Sequence, residues 1–318
     1  MRKSLLLSWT AVLAVMLLAA TGCGSDDGAS DEGDTITVIA TTPVLADITS
    51  NIVGDAATVT ALIPIGASPH DYAPSAQQAT ALQNADLVIA NGLGLEEGLA
   101  DLLEAARRDG TNVLEVAPLV DPIPFAGTDR AHEDDEDEGE DHEGDDPHFW
   151  LDPLRDADAA RIIAGELAVI APDGDWAASA DRYAAELTAA DGQIRDILSV
   201  IPSDGRKLVT NHDSFGYFAE RYGFEVVGVV VPGGSTLAEP SSAELAGLVE
   251  EIRRTGVRAI FGDTSESADL ANAIAGELDQ TVEVVQLYTG SLDEPSTEAG
   301  TLIGMLITDA RLIAEALS

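Results

Sequence analysis

Five histidines punctuate the 318-residue chain, at positions 70, 132, 142, 148 and 212. His70 stands in the string PIGASPHDYAP (64–74), His148 in DPHFWLDP (146–153) and His212 in NHDSFGYFAERYG (211–223). Each of these three marks a junction where a strand or loop gives way to the next element. Neutral imidazole is a metal ligand as well as a general base, so a set of three can bind a transition metal or serve catalysis. Taken singly, a histidine beside Pro and Asp is ordinarily a turn or cap residue. Three imidazoles with an open position also describe catalytic zinc. Neither an HExxH helix nor a G-x-S-x-G elbow occurs in the chain, however. The neighbours His212, Asp213 and Ser214 do not form a triad, because adjacency in sequence does not supply that geometry.

The elements that must position these residues alternate. Strands are expected at Thr35–Ala40, Ala57–Ile63, Asp86–Ala90 and Asn112–Val116. Helices fall between them at Pro43–Val53, Pro74–Asn84 and Leu95–Arg108. Thr42 reads as an N-cap with Pro43 in the first turn. The rhythm returns with strands at Lys207–Thr210, Phe224–Val231, Val257–Gly262 and Val282–Leu287. The helices of this half are Ser214–Tyr222, Ser242–Thr255, Ala268–Leu278 and Thr297–Leu317. Such alternation implies parallel βαβ units, hence an α/β fold. Ligands in open α/β sheets bind beyond the carboxyl ends of strands. His70 and His212 are therefore expected at matching places in two lobes, with His148 brought to the cleft between them.

Between the halves, Asp175–Ile201 carries apolar residues at three- and four-residue steps, among them Trp176, Ala180, Tyr183, Leu187 and Ile194. Such a helix would be a rod of roughly 40 Å joining the lobes. Gly192 opens the alternative of a break into two helices. The lobes are then 35–174 and 202–318, with 175–201 as linker. One segment departs from the rhythm: Asp129–Asp146 holds 12 acidic residues and one Arg, and reads as a solvated mobile loop. Its His132 and His142 also allow a low-affinity metal collector. Deleting the whole segment is expected to leave a tight site intact.

Net charge is −41, from 57 acidic and 16 basic residues, which excludes nucleic acid as a partner. The single cysteine, Cys23, excludes a disulfide framework. It follows a basic start (Arg2, Lys3) and an almost wholly apolar run over 4–20, the layout of a secretory leader. An uncleaved anchor is the rival reading. Cys23 at the cleavage point resembles a bacterial lipoprotein signal, in which the cysteine is lipidated and becomes the mature N-terminus. Ala20 departs from the usual leucine three residues before it. Residues 1–23 are then leader and lipidation site, and 24–34 a flexible tether.

The three histidine strings resemble the motifs of the zinc/manganese (cluster A-I) family of ABC-transporter substrate-binding lipoproteins, and DPHFWLDP is the most specific. VVGVVVPGGSTLAEPS (226–241) and LYTGSL (287–292) also fit, and the resemblance covers Thr35 to Leu317. It implies two α/β lobes with mainly parallel sheets joined by one long rigid helix. It implies a non-enzymatic carrier, monomeric and lipid-anchored on the outer face of the cell membrane. Such a carrier would deliver one divalent metal to a membrane permease with its ATPase subunit. By motif, the ligands are His70, His148 and His212. Manganese-type members typically place a carboxylate at the third position, so His212 favours Zn2+ over Mn2+ as cargo. Many members carry an aspartate where Gly290 stands here. Asp263, at a strand end, or a water is then expected as fourth ligand. Asp213, Asp71 and Asp152 read as helix caps. An extracellular zinc hydrolase and a manganese carrier of the same fold remain the alternatives.

Overall fold

A computed structural model describes residues 36–125 and 144–318, which belong to one compact unit, Thr35–Ser318. The leader with Cys23, the tether, and His132 and His142 lie outside the described residues.

Two four-stranded sheets organise the chain. The first contains β1 (Ile36–Ala40), β2 (Ala57–Ala61), β3 (Leu87–Ala90) and β4 (Val113–Glu115), in the order β2-β1-β3-β4. The second contains β5 (Lys207–Thr210), β6 (Glu225–Val229), β7 (Ala259–Asp263) and β8 (Glu283–Leu287), in the order β6-β5-β7-β8. All pairings are parallel. Helices α1 (Pro43–Val53), α2 (Ala76–Gln83) and α3 (Ala100–Asp109) serve the first sheet. Helices α6 (Gly216–Tyr222), α7 (Ser242–Thr255), α8 (Asp269–Gly276) and α9 (Leu302–Leu317) follow in the second half. Between the sheets lie α4 (Pro153–Ile170) and α5 (Trp176–Leu198).

The alternation of side chains along each strand feeds two layers. Val38 and Ala40 of β1 and Leu87 and Ile89 of β3 face the central core, while Ile39 and Val88 face an outer cluster with Leu82 and Leu103. In the second sheet Leu208, Ala259 and Phe261 point inward, and Val209 and Ile260 pack outward on Leu248 and Ile252 of α7. Strands buried on both faces are the expected state of a parallel sheet covered by helices. The central core is continuous across both halves. Tyr183, Leu187, Ile194 and Leu198 of α5 stand in it beside residues of both sheets.

Helix boundaries follow local capping chemistry. Thr42 Oγ1 accepts from Leu45 N, as expected from the sequence. Ser241 and Glu244 form a reciprocal capping box at α7. Ser75 and Gln78 do the same at α2, so that helix begins at Ala76 and not Pro74. Thr301 caps α9, which therefore starts five residues later than the sequence suggested. The helix expected at Leu95–Arg108 is a 3-10 turn, Glu97–Leu99, followed by α3.

Helix α5 runs unbroken through Gly192, for about 35 Å at 1.5 Å per residue. It is also fastened by charge. Arg221 of α6 grips Asp191 with two bonds of 2.9 Å, and its Nε reaches Asp152 at 3.3 Å. Asp152 is the N-cap of α4, as read from the sequence, so one guanidinium ties three helices. Gly192 is exposed, and a methyl group there would meet no atom within 4 Å. Gly192→Ala is therefore expected to stabilise the protein by about 1 kcal/mol, raising the thermal midpoint by about 2–3 °C. A fall in the midpoint would mean that α5 bends there in solution.

Candidate metal centre

The three histidines meet. His70 arrives on the loop nine residues beyond β2, His148 precedes the buried 3-10 turn Phe149–Leu151, and His212 follows β5 by two residues. Their side chains form the group of potential metal ligands found among the described residues, with one ligand atom from each lying within 4.8 Å of the others. His148 Nε2 is 3.3 Å from His70 Nε2 and 3.2 Å from His212 Nε2. Ring centroids are 5.0–5.4 Å apart, and each residue is only 2% exposed.

The strand order corrects one expectation. His212 follows the interior strand β5, whereas His70 follows the edge strand β2. The two are not at equivalent places in their sheets. The position equivalent to His212 is taken by Thr41 and Thr42 after β1.

His148 is fixed by Asp146, whose Oδ1 accepts from His148 N at 2.9 Å and lies 2.7 Å from His148 Nδ1. With its proton on Nδ1, His148 turns the Nε2 lone pair toward the other two histidines. Asp146 is itself wholly buried, its amide on Ile123 O and its carbonyl accepting from Tyr217 Oη. Gly216 leaves room for it, since a Cβ there would lie 2.6 Å from Asp146 Oδ2. Trp150 Nε1 donates to Thr289 O across the molecule. Asn91 Nδ2 donates to the carbonyl of Pro147, just before His148. The buried Glu96 gathers Thr41 Oγ1, Asn91 N and Gly92 N at the ends of β1 and β3.

Burial dominates the electrostatics. It pushes His70 down to about 2, helped by repulsion from the other two imidazoles. It pushes His148 down to about 4, against the fields of Asp213 and Asp263. His212 is also driven well below its usual range. Burial raises Asp146 instead. Three neutral imidazoles with convergent lone pairs are a cation site: they repel a proton-charged neighbour but share a metal ion.

The expected carboxylates divide. Asp263 is buried at the end of β7, where its Oδ1 accepts from Ser265 N and Oγ at 2.8 and 2.7 Å and its Oδ2 accepts from Thr289 Oγ1. It lies outside the tight group formed by the histidines. Asp213 does not cap α6. A turn in which Ser214 N bonds His212 O intervenes, and Phe215 occupies the cap position. Asp71 caps nothing either; it is exposed in a turn, and Ser75 caps the helix that follows.

Asp146 is the residue that sequence reasoning missed. As the last member of the acidic run 129–146 it is expected in a solvated loop. It is instead buried beneath His148, and Asp145 beside it bridges Pro124. Deleting 129–146 would remove the carboxylate that orients a histidine, so the expectation that such a deletion spares the site is corrected. The available signal was the Asp-x-His spacing within DPH.

Comparison with known proteins places the chain among metal-binding relatives. Residues 38–316 match the family described as zinc-uptake complex component A, periplasmic. The chain is 32% identical to a manganese-binding lipoprotein MntA of Bacillus subtilis over 94% of its own length and 95% of the relative's. It is 29% identical to a manganese-binding lipoprotein MntA of Halalkalibacterium halodurans, with 93% of each covered. The fold matches that of the periplasmic zinc-binding protein TroA from Treponema pallidum, with a TM-score of 0.78 and 26% identity. That match covers 89% of this chain and 99% of the other.

Proposed function

The chain belongs to the family of periplasmic zinc-uptake component A proteins, and from that membership we propose that it captures zinc for an ABC importer. It is a divalent-metal-binding lipoprotein of the solute-binding kind, extracytoplasmic and membrane-anchored, and not an enzyme. In this reading Cys23 carries the lipid, His70, His148 and His212 hold the ion, and the loaded monomer docks on a permease whose ATPase subunit supplies the energy. His132 and His142 form a weaker collecting site on the acidic loop. Residues 35–174 and 202–318 act as two metal-binding lobes about the helix within 175–201.

The observation that carries the choice of zinc is the convergence of three imidazole Nε2 atoms with neighbouring separations of 3.2 and 3.3 Å. Two nitrogens bound to zinc at its usual distance, with a tetrahedral angle between them, lie about 3.3 Å apart. Nitrogen ligands suit zinc, whereas manganese stands lowest in the divalent series and prefers oxygen. For the fourth donor we assign Asp263. A Cβ at Gly290 would lie 3.1 Å from Asp263 Oδ2, so this carboxyl fills the space that a side chain at 290 would occupy. A water in that place is the alternative. The relatives named for manganese define the rival cargo. A competition titration of the mature chain decides between them: zinc is expected to displace manganese at equal concentration, and the reverse order would make manganese the cargo.

Acid should release the ion later than exposed histidines would allow. A proton competes with the metal for the same lone pair, so a lowered pKa weakens that competition at any given pH. Ordinary imidazole, titrating near 6.5, leads to an expected loss of affinity below about pH 6. With His148 down to about 4 and His70 to about 2, affinity is instead expected to hold from pH 7.5 to about 5.5 and to fall as pH 4 is approached. Chelator-competition titrations at pH 7.5, 6.5 and 5.5 check this. A loss of tenfold or more per unit beginning at pH 6.5 would show imidazoles that titrate as if exposed.

A further inference from the structure

The three histidines differ in what anchors them. His148 is fixed by Asp146, and the carbonyl of His212 accepts from Thr210 Oγ1 at 2.8 Å directly after β5. His70 sits on a loop between β2 and α2, and its Nδ1, like that of His212, has no hydrogen-bond partner among the described residues. Its ring is nevertheless buried. Besides local bonds such as Gln78 Nε2 to Leu62 O and Ala67 N to Pro64 O, this loop has contacts with the distant half of the chain. Gly66 N donates to Ser291 Oγ at 2.9 Å, and the hydroxyls of Ser68 and Thr236 meet at 3.3 Å. Pro69 lies against Gly290, where a Cβ would come 3.3 Å from Pro69 Cδ. The carboxyl of Glu266 faces both Ser68 and Thr236. Ser291 and Ser68 are buried, while their partners Gly66 and Thr236 are exposed and half-buried, so each bond is partly screened from water.

We propose that Ser291 and the Ser68–Thr236 pair are positioning residues that clasp the His70 loop over the bound ion and set its residence time. The inference rests on the capture reading above, since the ion is its readout. For the metal to leave, His70 must lift, and these two clasps join the loop that carries it to the other half of the chain. Breaking a clasp lowers the barrier to lifting while leaving the three imidazoles in place. The effect therefore falls on dissociation more than on association, as is usual for contacts that form after encounter.

Zinc dissociation from the mature chain, measured by stopped-flow chase with a chromophoric chelator, tests this. Ser291→Ala and Thr236→Val are each expected to speed release about fivefold, the worth of one ordinary hydrogen bond, and the double variant about 25-fold. Association should change less than twofold. Ser68→Ala should also speed release, and combining it with Thr236→Val should add less than the two separate effects, because the hydroxyls share one contact while each also faces Glu266. Thr236→Ser, which keeps the hydroxyl, should stay within twofold of the parent. Thermal unfolding of the metal-free variants shows that each one folds. Unchanged release in Ser291→Ala and in both Thr236→Val and Ser68→Ala would overturn the clasp, as would release from Thr236→Ser as fast as from Thr236→Val. If the parent chain takes up manganese and not zinc, the cargo reading fails, and the same series run with manganese still decides the clasp.

Discussion

Replacing His212 with alanine is expected to weaken zinc binding by at least about 100-fold. Partners that merely orient a ligand are worth about 10–100-fold, and His212 is assigned as a ligand itself. Its ring is buried, with its Nε2 3.2 Å from His148 Nε2, within the group of potential ligands. Alanine also leaves a cavity into which water can enter, which preserves the fold while removing a nitrogen donor. His212→Glu separates charge from geometry. A carboxylate at this position supplies hard oxygen, and the preference of the site should shift toward manganese. Paired titrations of both variants with both metals measure this. If His212→Ala retains parental zinc affinity, His212 is not a ligand. If His212→Glu leaves the zinc-to-manganese ratio unchanged, the third position does not set selectivity.

Asp146→Asn is expected to weaken zinc binding by about 10–100-fold with little change in the fold. The carboxylate fixes the proton of His148 on Nδ1 and makes Nε2 the better donor. An amide keeps the shape and one acceptor oxygen for His148 N, but it no longer strengthens the imidazole as a base. It can also present its NH2 to Nδ1, which favours the tautomer that cannot bind the ion through Nε2. Asp146→Ala should lose more affinity, because it also leaves His148 N unpaired in a buried site. Equal zinc affinity in parent and Asp146→Asn would show that Asp146 serves the chain's packing and not the metal.

The histidines were legible because each stands in a short string whose neighbours are local. Helices with caps encoded within four residues were also legible: Pro43–Val53 and Ser242–Thr255 appear with the bounds read from the sequence. Strand ends were legible in part: Lys207–Thr210 has the bounds read from the sequence, whereas β2 and β6 stop two residues short of the expected ends, where pairing with a partner strand gives out. The long helix was readable from its apolar spacing, and its continuity through Gly192 reflects packing of the flanking residues in the core, which outweighs one weak helix former. Asp146 was hidden because its neighbours are acidic and exposed in pattern, while its burial depends on Gly216 and Tyr217, seventy residues away. The clasps on the His70 loop span 168 and 225 residues and leave no local signal. The strand order placed His70 after an edge strand and His212 after an interior one, a difference that alternation of elements alone does not carry.

The most direct measurement is a crystal structure of the mature chain grown with zinc, with anomalous data collected at the zinc absorption edge. The predicted result is one strong peak bonded to Nε2 of His70, His148 and His212, with a fourth oxygen from Asp263 at bonding distance; a water in that place would correct the assignment of Asp263 alone. A map with no zinc peak between the three rings would contradict the account, as would a peak that manganese replaces when both ions are present at equal concentration.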